Sequence, residues 1–289
     1  MTSPLLVCVG NLTLDEAVQA DGARSVELGG DALYAALAAQ GTGARVRWLA
    51  PVGHDLPAHA LDAIAAAGLA PEPEITRDAP TVRYLVTYRA DGSRTWELVH
   101  GEAHFDRMSV HPEDVPAWIR DAAGVLVCGM SLASQAALVP WLARRTGATV
   151  YLDLQEDYLD ADPAALRAMV ACCRVFLPSE VEAVAVAGTR DLREAVRRLA
   201  ALGPAVVVIK LADRGCLVLE SPDAEPVLLP AVPVTAVDAT GAGDAFCGAF
   251  AAAHLCGASP LDAARAGAEA ARAALAAPGM HGLLARAAA

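Results

Sequence analysis

Aromatic residues are scarce, at 4% of the 289-residue sequence, although hydrophobic residues reach 55%. A core of that composition has to be built from Ala, Val and Leu, which favours helices lying close against a sheet. Basic residues are outnumbered, with 22 Lys and Arg against 34 Asp and Glu for a net charge of −12. That balance argues against nucleic acid and anionic membranes as partners. It leaves room for a small phosphorylated ligand, because a single loop can bind phosphate within an acidic protein. No apolar stretch approaches the ~20 charge-free residues that a spanning helix needs. The opening MTSPLLVCVG has no basic region and too short an apolar run for a secretory signal. The seven Cys form no C-x-x-C pair, and the adjacent Cys172 and Cys173 cannot easily bridge each other. Reduced, buried thiols in a cytoplasmic protein are the expectation.

Short apolar runs alternate with Ala-rich helical stretches. Pro4–Gly10, Val46–Gly53, Gly124–Gly129, Thr149–Leu154, Arg174–Pro178 and Ala205–Lys210 read as strands buried on both faces. Between and after them, helices are expected over Asp31–Gln40, Pro57–Ala67, Ala133–Arg145, Pro163–Ala171, Glu180–Ala187, Leu192–Leu202, Ala245–Cys256 and Leu261–Ala276. Such alternation implies βαβ crossovers and a mainly parallel sheet in one α/β domain covering 1–289. Two segments depart from it, about 17–28 and 81–99. Both alternate with period two, and Asp91-Gly92 in the second is a hairpin signal. They predict a small accessory β-sheet, either a lid over a ligand or a surface pairing with a second subunit.

The chain also lacks the commonest nucleotide loops. There is no G-x-x-x-x-G-K-[ST], and no G-x-G-x-x-G follows the first strand. Instead, VDATGAGDAFCGAF spans Val237–Phe250. Val232–Val237 reads as β and Ala245 onward as helix, so Gly241, Ala242 and Gly243 precede a helix N-terminus. Unpaired N–H groups and the positive end of the helix dipole make such a loop an anion cradle. Asp244 after it is either a helix cap or a functional acid. Capping alone does not require the Gly-Ala-Gly before it.

This stretch resembles the D-x-T-G-A-G-D-x-F signature of the ribokinase-like (PfkB) carbohydrate kinases. The resemblance implies an α/β/α sandwich with a small β lid, and ATP-dependent phosphorylation of a sugar or nucleoside hydroxyl. It implies that Gly241, Ala242 and Gly243 meet the transferred phosphoryl group and that Asp244 is the base. Asp238 matches the Asp associated with a monovalent-cation (K+) site. GNLTLDEAV (Gly10–Val18) is similar to the segment whose Asp grips sugar hydroxyls, here Asp15, expected at the end of the first strand. Leu28–Val46 resembles the N-terminal G-G signature, which assigns Gly29, Gly30 and Tyr34 to the acceptor; Tyr34 stands at the position of an Asn. Leu177–Gly188 resembles a P-N-x-x-E stretch tied to Mg2+ and phosphate, with Glu182 retained and Ser179 at the Asn position. Ile209–Val218 resembles a nucleotide-side K-x-G-x-x-G segment, which assigns Lys210, Ala212 and Gly215. A catalytically weak sugar- or nucleotide-binding regulator on the same fold is the alternative, motivated by Tyr34, Ser179 and Ala212.

Overall fold

The structure is a computed structural model and describes residues 3–70, 73–89 and 94–287. In chain order the strands and longer helices are β1 (Leu5–Val9), β2 (Thr13–Val18), β3 (Arg24–Gly29), α1 (Asp31–Ala39), β4 (Arg45–Leu49), β5 (Pro51–Gly53), α2 (Ala58–Ala66), β6 (Ile75–Arg77), β7 (Tyr84–Tyr88), β8 (Arg94–Leu98) and α3 (Glu102–Arg107). They continue as β9 (Gly124–Val127), α4 (Leu132–Arg145), β10 (Thr149–Leu152), α5 (Pro163–Val170), β11 (Val175–Phe176), α6 (Glu180–Ala187), α7 (Leu192–Ala200), β12 (Val206–Lys210), β13 (Cys216–Leu219), β14 (Val227–Leu229), α8 (Ala242–Leu255), α9 (Pro260–Leu275) and α10 (His281–Ala287).

Eight strands form the central sheet in the order β14-β13-β12-β11-β10-β9-β1-β4. Neighbours from β12 through β4 run parallel, and β13 and β14 add an antiparallel edge. Side-chain alternation along β1 sorts the core into two layers. Leu6 and Cys8 face a cluster with Ala35, Ala36, Ala249 and Phe250 of α1 and α8. Val7 and Val9 face Leu138, Leu142, Leu166 and Val196 of α4, α5 and α7. Each such fully buried Val or Leu contributes about 1.5–3 kcal/mol. Near-continuous apolar strands are what a doubly covered parallel sheet requires.

A second sheet, β3-β2-β7-β8, stands apart from the first. It holds the two segments that alternate with period two. β7 and β8 pair antiparallel, Tyr84 opposite Leu98 through Tyr88 opposite Arg94; the Asp91-Gly92 turn lies outside the described residues.

Three expectations are corrected. Val46–Gly53 is not one strand: the chain leaves the central sheet at Ala50, and β5 pairs with β6 in a separate ribbon. Val232–Val237 is not a strand. Its alternating Val residues have no partner strand, Val232 and Val237 are 57% and 60% exposed, and Val237 donates its N–H to the Leu275 carbonyl at 2.8 Å. Finally, α8 begins at Ala242 rather than Ala245, with Gly241 as its N-cap.

Candidate active site

The groups that carry chemistry gather where open parallel sheets place ligands, beyond the C-terminal ends of the strands. Asn11 follows β1, Gly129 follows β9, Asp153 and Gln155 follow β10, and Lys210 ends β12. The N-termini of α1, α6 and α8 point to the same edge and supply Asp31, Glu182 and Asp244. A cleft of about 440 Å³ opens there, bordered by Asn11, Asp31, Gln155, Glu182 and Asp244. Tyr84, Trp96 and Phe105 close it from the side of the accessory sheet.

The earlier start of α8 sets the cradle's geometry. Gly241 takes φ +71°, the left-handed region that costs a residue with a side chain 1–2 kcal/mol. The N–H groups of Ala242, Gly243 and Asp244 then fall in the first helical turn, where no intrahelical carbonyl meets them. Burial and the neighbouring Asp153 raise the Asp244 carboxyl to about 6, with Lys210 opposing the rise. Asp31 is pushed up more strongly, by burial and then by Asp244, Asp153 and Asp15.

One cation sits among these acids. The Lys210 ammonium donates to both Asp153 oxygens, at 2.8 and 2.7 Å, and to Cys247 Sγ at 3.3 Å. Burial disfavours the ammonium, but the charges of Asp153 and Glu182 outweigh it and hold Lys210 protonated. A Cβ built on Gly243 would lie 3.7 Å from Nζ, so the charge sits directly beneath the cradle. Ala212 and Gly215 shape the β12–β13 turn with φ +52° and +96°.

Glu182 is buried and splits its work. Its Oε2 accepts from the Ser179 N–H at 2.7 Å while the Ser179 hydroxyl accepts from the Glu182 N–H at 3.3 Å. Ser179 Oγ also donates to Glu156 at 3.2 Å. Burial and Asp153 raise the Glu182 carboxyl to about 7. Among the described residues no three His, Cys, Asp or Glu side chains converge as a metal cage.

The remaining assigned residues divide. Asp15 does not end the first strand. Gly10 and Asn11 turn the chain, and Asp15 lies on β2 in the accessory sheet, accepting from Thr13 Oγ1 at 3.0 Å and the Tyr84 N–H at 3.4 Å. Burial lifts its carboxyl to about 6. It stands behind Thr13 and Tyr84, which border the cleft. Gly29 pairs with Thr13 at the end of β3. Gly30 must be glycine, because a Cβ there would come within 2.4 Å of the Asn11 carbonyl. Asp238 ties the cradle down: Oδ1 accepts from the Thr240 N–H and hydroxyl at 3.0 and 2.8 Å, and Oδ2 from the Gly279 N–H at 3.0 Å.

Tyr34 is set against the cradle and away from the cleft. It is 3% exposed, and a Cβ on Gly241 would lie 2.1 Å from its ring. The ring is a floor under the Gly241–Gly243 loop. If the loop holds the transferred phosphoryl group, as the resemblance implies, Tyr34→Asn should lower kcat/KM for every acceptor alike, by up to about 10²-fold for a loop shift of an ångström. The ranking of acceptors should not change; a changed ranking across three or more acceptors would contradict this placement.

Sequence reasoning passed over Asp31, Asn11 and Gln155. A signal for Asp31 was present, since Gly29-Gly30-Asp31 repeats the Gly243-Asp244 arrangement of glycine followed by an acid at a helix start.

Comparison with known proteins agrees with this geometry. The family profile described as "pfkB family carbohydrate kinase" matches residues 4–284. A cytidine kinase from Thermococcus kodakarensis is 30% identical over 271 residues, covering 92% of this chain and 94% of the relative. A ribokinase structure from Thermotoga maritima superposes with a TM-score of 0.79 at 22% identity, covering 96% and 94% of the two chains. A fructokinase double mutant from Vibrio cholerae, in its fructose-, ADP- and potassium-bound form, gives 0.77 at 22% identity over 98% and 96%.

Proposed function

Because the chain belongs to the pfkB family of carbohydrate kinases, we propose that it transfers the γ-phosphoryl group of ATP to a hydroxyl of a sugar or nucleoside. The observation that carries this reading is the placement of Asp244 directly after the α8 cradle, in one cleft with Asp31 and Glu182. The acceptor oxygen attacks the γ-phosphorus, the bond from that phosphorus to the β-bridging oxygen breaks, and ADP leaves. Asp244 orients the acceptor hydroxyl and takes its proton. The transition state is largely dissociative, so positioning and charge stabilisation dominate. The amides of Ala242, Gly243 and Asp244, with Lys210 beneath them, meet the charge on the transferred group. The exposed Val232, Val234 and Val237 on the approach to the cradle suit an adenine ring.

Mg2+ fits as a companion of ATP, since it keeps phosphate and water ligands and seldom uses an all-protein cage. Glu182 is the side chain placed to hold it through water, and its chemistry there is charge neutralisation on the phosphates. The resemblance places a monovalent cation at Asp238. That carboxylate accepts from Thr240 and Gly279, so a K+ ion beside it would brace the same loop.

The accessory sheet is read as a lid whose exposed Val26 and Val99 meet a second subunit. A dimer in sedimentation equilibrium that dissociates with Val26→Lys is the expected result; a monomer at all concentrations would remove the dimer and leave the lid. The reaction itself is tested by ADP release from MgATP across pentoses, hexoses, keto-deoxy acids and nucleosides. A weak binding regulator would release none above the acceptor-free rate.

A further inference from the structure

We propose that the acceptor is an uncharged, unphosphorylated nucleoside, whose hydroxyls are read by Asn11, Asp31 and Gln155 and whose base packs on the Trp96–Tyr84 wall. The proposal deepens the kinase reading and rests on it. The first argument is an excess of hydrogen-bond acceptors. Asn11 is 2% exposed, and its Oδ1 has no donor within reach. Its amide cannot be turned over, because Nδ2 donates to the Gly129 carbonyl at 3.3 Å and a flip would set oxygen against oxygen. Gln155 repeats the arrangement. Nε2 donates to Asp157 Oδ2 at 2.9 Å, which fixes Oε1 as the buried, unpartnered atom.

Gly129, whose carbonyl takes the Asn11 Nδ2 donor, brings Gln155 Oε1 together with Asp31. A Cβ placed on Gly129 would lie 2.9 Å from Asp31 Oδ2 and 3.5 Å from Gln155 Oε1. Buried polar groups without partners are costly, so a site that keeps several is shaped for a ligand that supplies them. Here the ligand must supply donors. Hydroxyls do so, and a carboxylate or phosphate cannot.

The second argument is charge. None of the described residues bordering the cleft is Lys, Arg or His, whereas Glu156, Asp157, Glu182 and Asp244 all border it. Lys210 is held by Asp153 at 2.7 Å, and Arg83 lies 3.4 Å from Asp55. A sugar acid or sugar phosphate would enter an acidic pocket with no counter-charge at its acceptor end. Repulsion of this kind rejects a competitor more sharply than a missing contact does.

The third argument is the wall. Trp96 and Tyr84 meet edge to face, with centroids 6.0 Å apart at 77°, and Phe105 lies beside them. In a chain with 4% aromatics, three of them border this cleft. Trp96 keeps 43% of its surface exposed. Donor-seeking oxygens at the floor and an aromatic wall above match a furanose carrying a planar base. Stacking of a base on an aromatic side chain is worth about 5- to 150-fold in affinity.

The test is kcat/KM with MgATP for cytidine, uridine, adenosine, inosine, ribose, 2-keto-3-deoxygluconate and fructose 6-phosphate. At least one nucleoside should exceed ribose by about tenfold or more through stacking. The charged acceptors should fall lower still. Trp96→Ala should cut the best nucleoside by about tenfold and ribose by a clearly smaller factor. Calorimetric titration of that nucleoside gives a second readout. A charged sugar as the best acceptor, or equal losses for nucleoside and ribose in Trp96→Ala, would overturn the assignment and leave the kinase reading standing. Nucleoside binding without turnover of any acceptor would support the pocket and sink the kinase reading. Neither binding nor turnover would overturn both.

Discussion

Asp244→Asn is expected to lower turnover by about 10²–10⁴-fold, the usual range for a positioned acid or base, while making the ligand-free protein more stable at neutral pH. The substitution keeps size and hydrogen-bonding capacity and removes the base and its charge. The amides of the cradle remain, so nucleotide affinity should change little. The stability gain follows from linkage. The folded-state value of about 6 lies above the ~3.9 of an unfolded Asp. A group raised on folding contributes stability below its unfolded value and loses it as pH rises through the folded one. At pH 7–8 the wild type therefore holds a costly buried charge that the Asn variant lacks. The higher melting temperature of Asp244→Asn should fade as pH falls from about 6 towards 4. In the wild type, kcat/KM should rise with pH along a limb centred near 6, as the base of the free enzyme loses its proton. If Asp244 were only a helix cap, Asn would cap nearly as well, and neither rate nor melt would move. Near-wild-type turnover in a folded Asp244→Asn protein would remove the mechanism.

That site acids should destabilise the empty protein also bears on what the sequence could reveal. The cradle was legible because its signal is local: glycine before a helix followed by an acid needs no tertiary knowledge. The central sheet was legible for the same reason, as its strands are continuous apolar runs. What failed was partner-dependent. Val232–Val237 has the alternation of a strand, but alternation says nothing about whether a neighbouring strand exists. Asp15 was placed one strand too early because the turn at Gly10 and Asn11 is marked by only two residues. Tyr34 was assigned by aligned position, whereas its role follows from the absence of a Cβ on Gly241, which lets the ring lie against the loop. Asn11 and Gln155 carry no sequence mark at all. Their significance lies in which atom each amide leaves unpaired, and that is set by Gly129 and Asp157.

Lys210 is where the electrostatic argument is most exposed to test. One ammonium lies among Asp31, Asp153, Glu182 and Asp244, and the hydrogen-bonded Asp153 does most to hold Lys210 protonated against its burial. Lys210→Met keeps length and volume but leaves Asp153, 5% exposed, without its counter-ion. Removing one partner of a buried pair typically costs about 3–5 kcal/mol, and replacing both by apolar groups is often neutral. Lys210→Met should therefore be strongly destabilised in denaturant titration, and Lys210→Met/Asp153→Leu should recover most of the loss. Turnover should behave differently. If the ammonium stabilises charge on the transferred phosphoryl group, both variants should be slower by about 10²–10³-fold, as when a preorganised donor to developing charge is lost. Stability would return in the double variant and rate would not. A double variant that regained wild-type turnover would show that the pair only holds β10 to β12, leaving the cradle amides as the protein's sole means of meeting the phosphoryl charge.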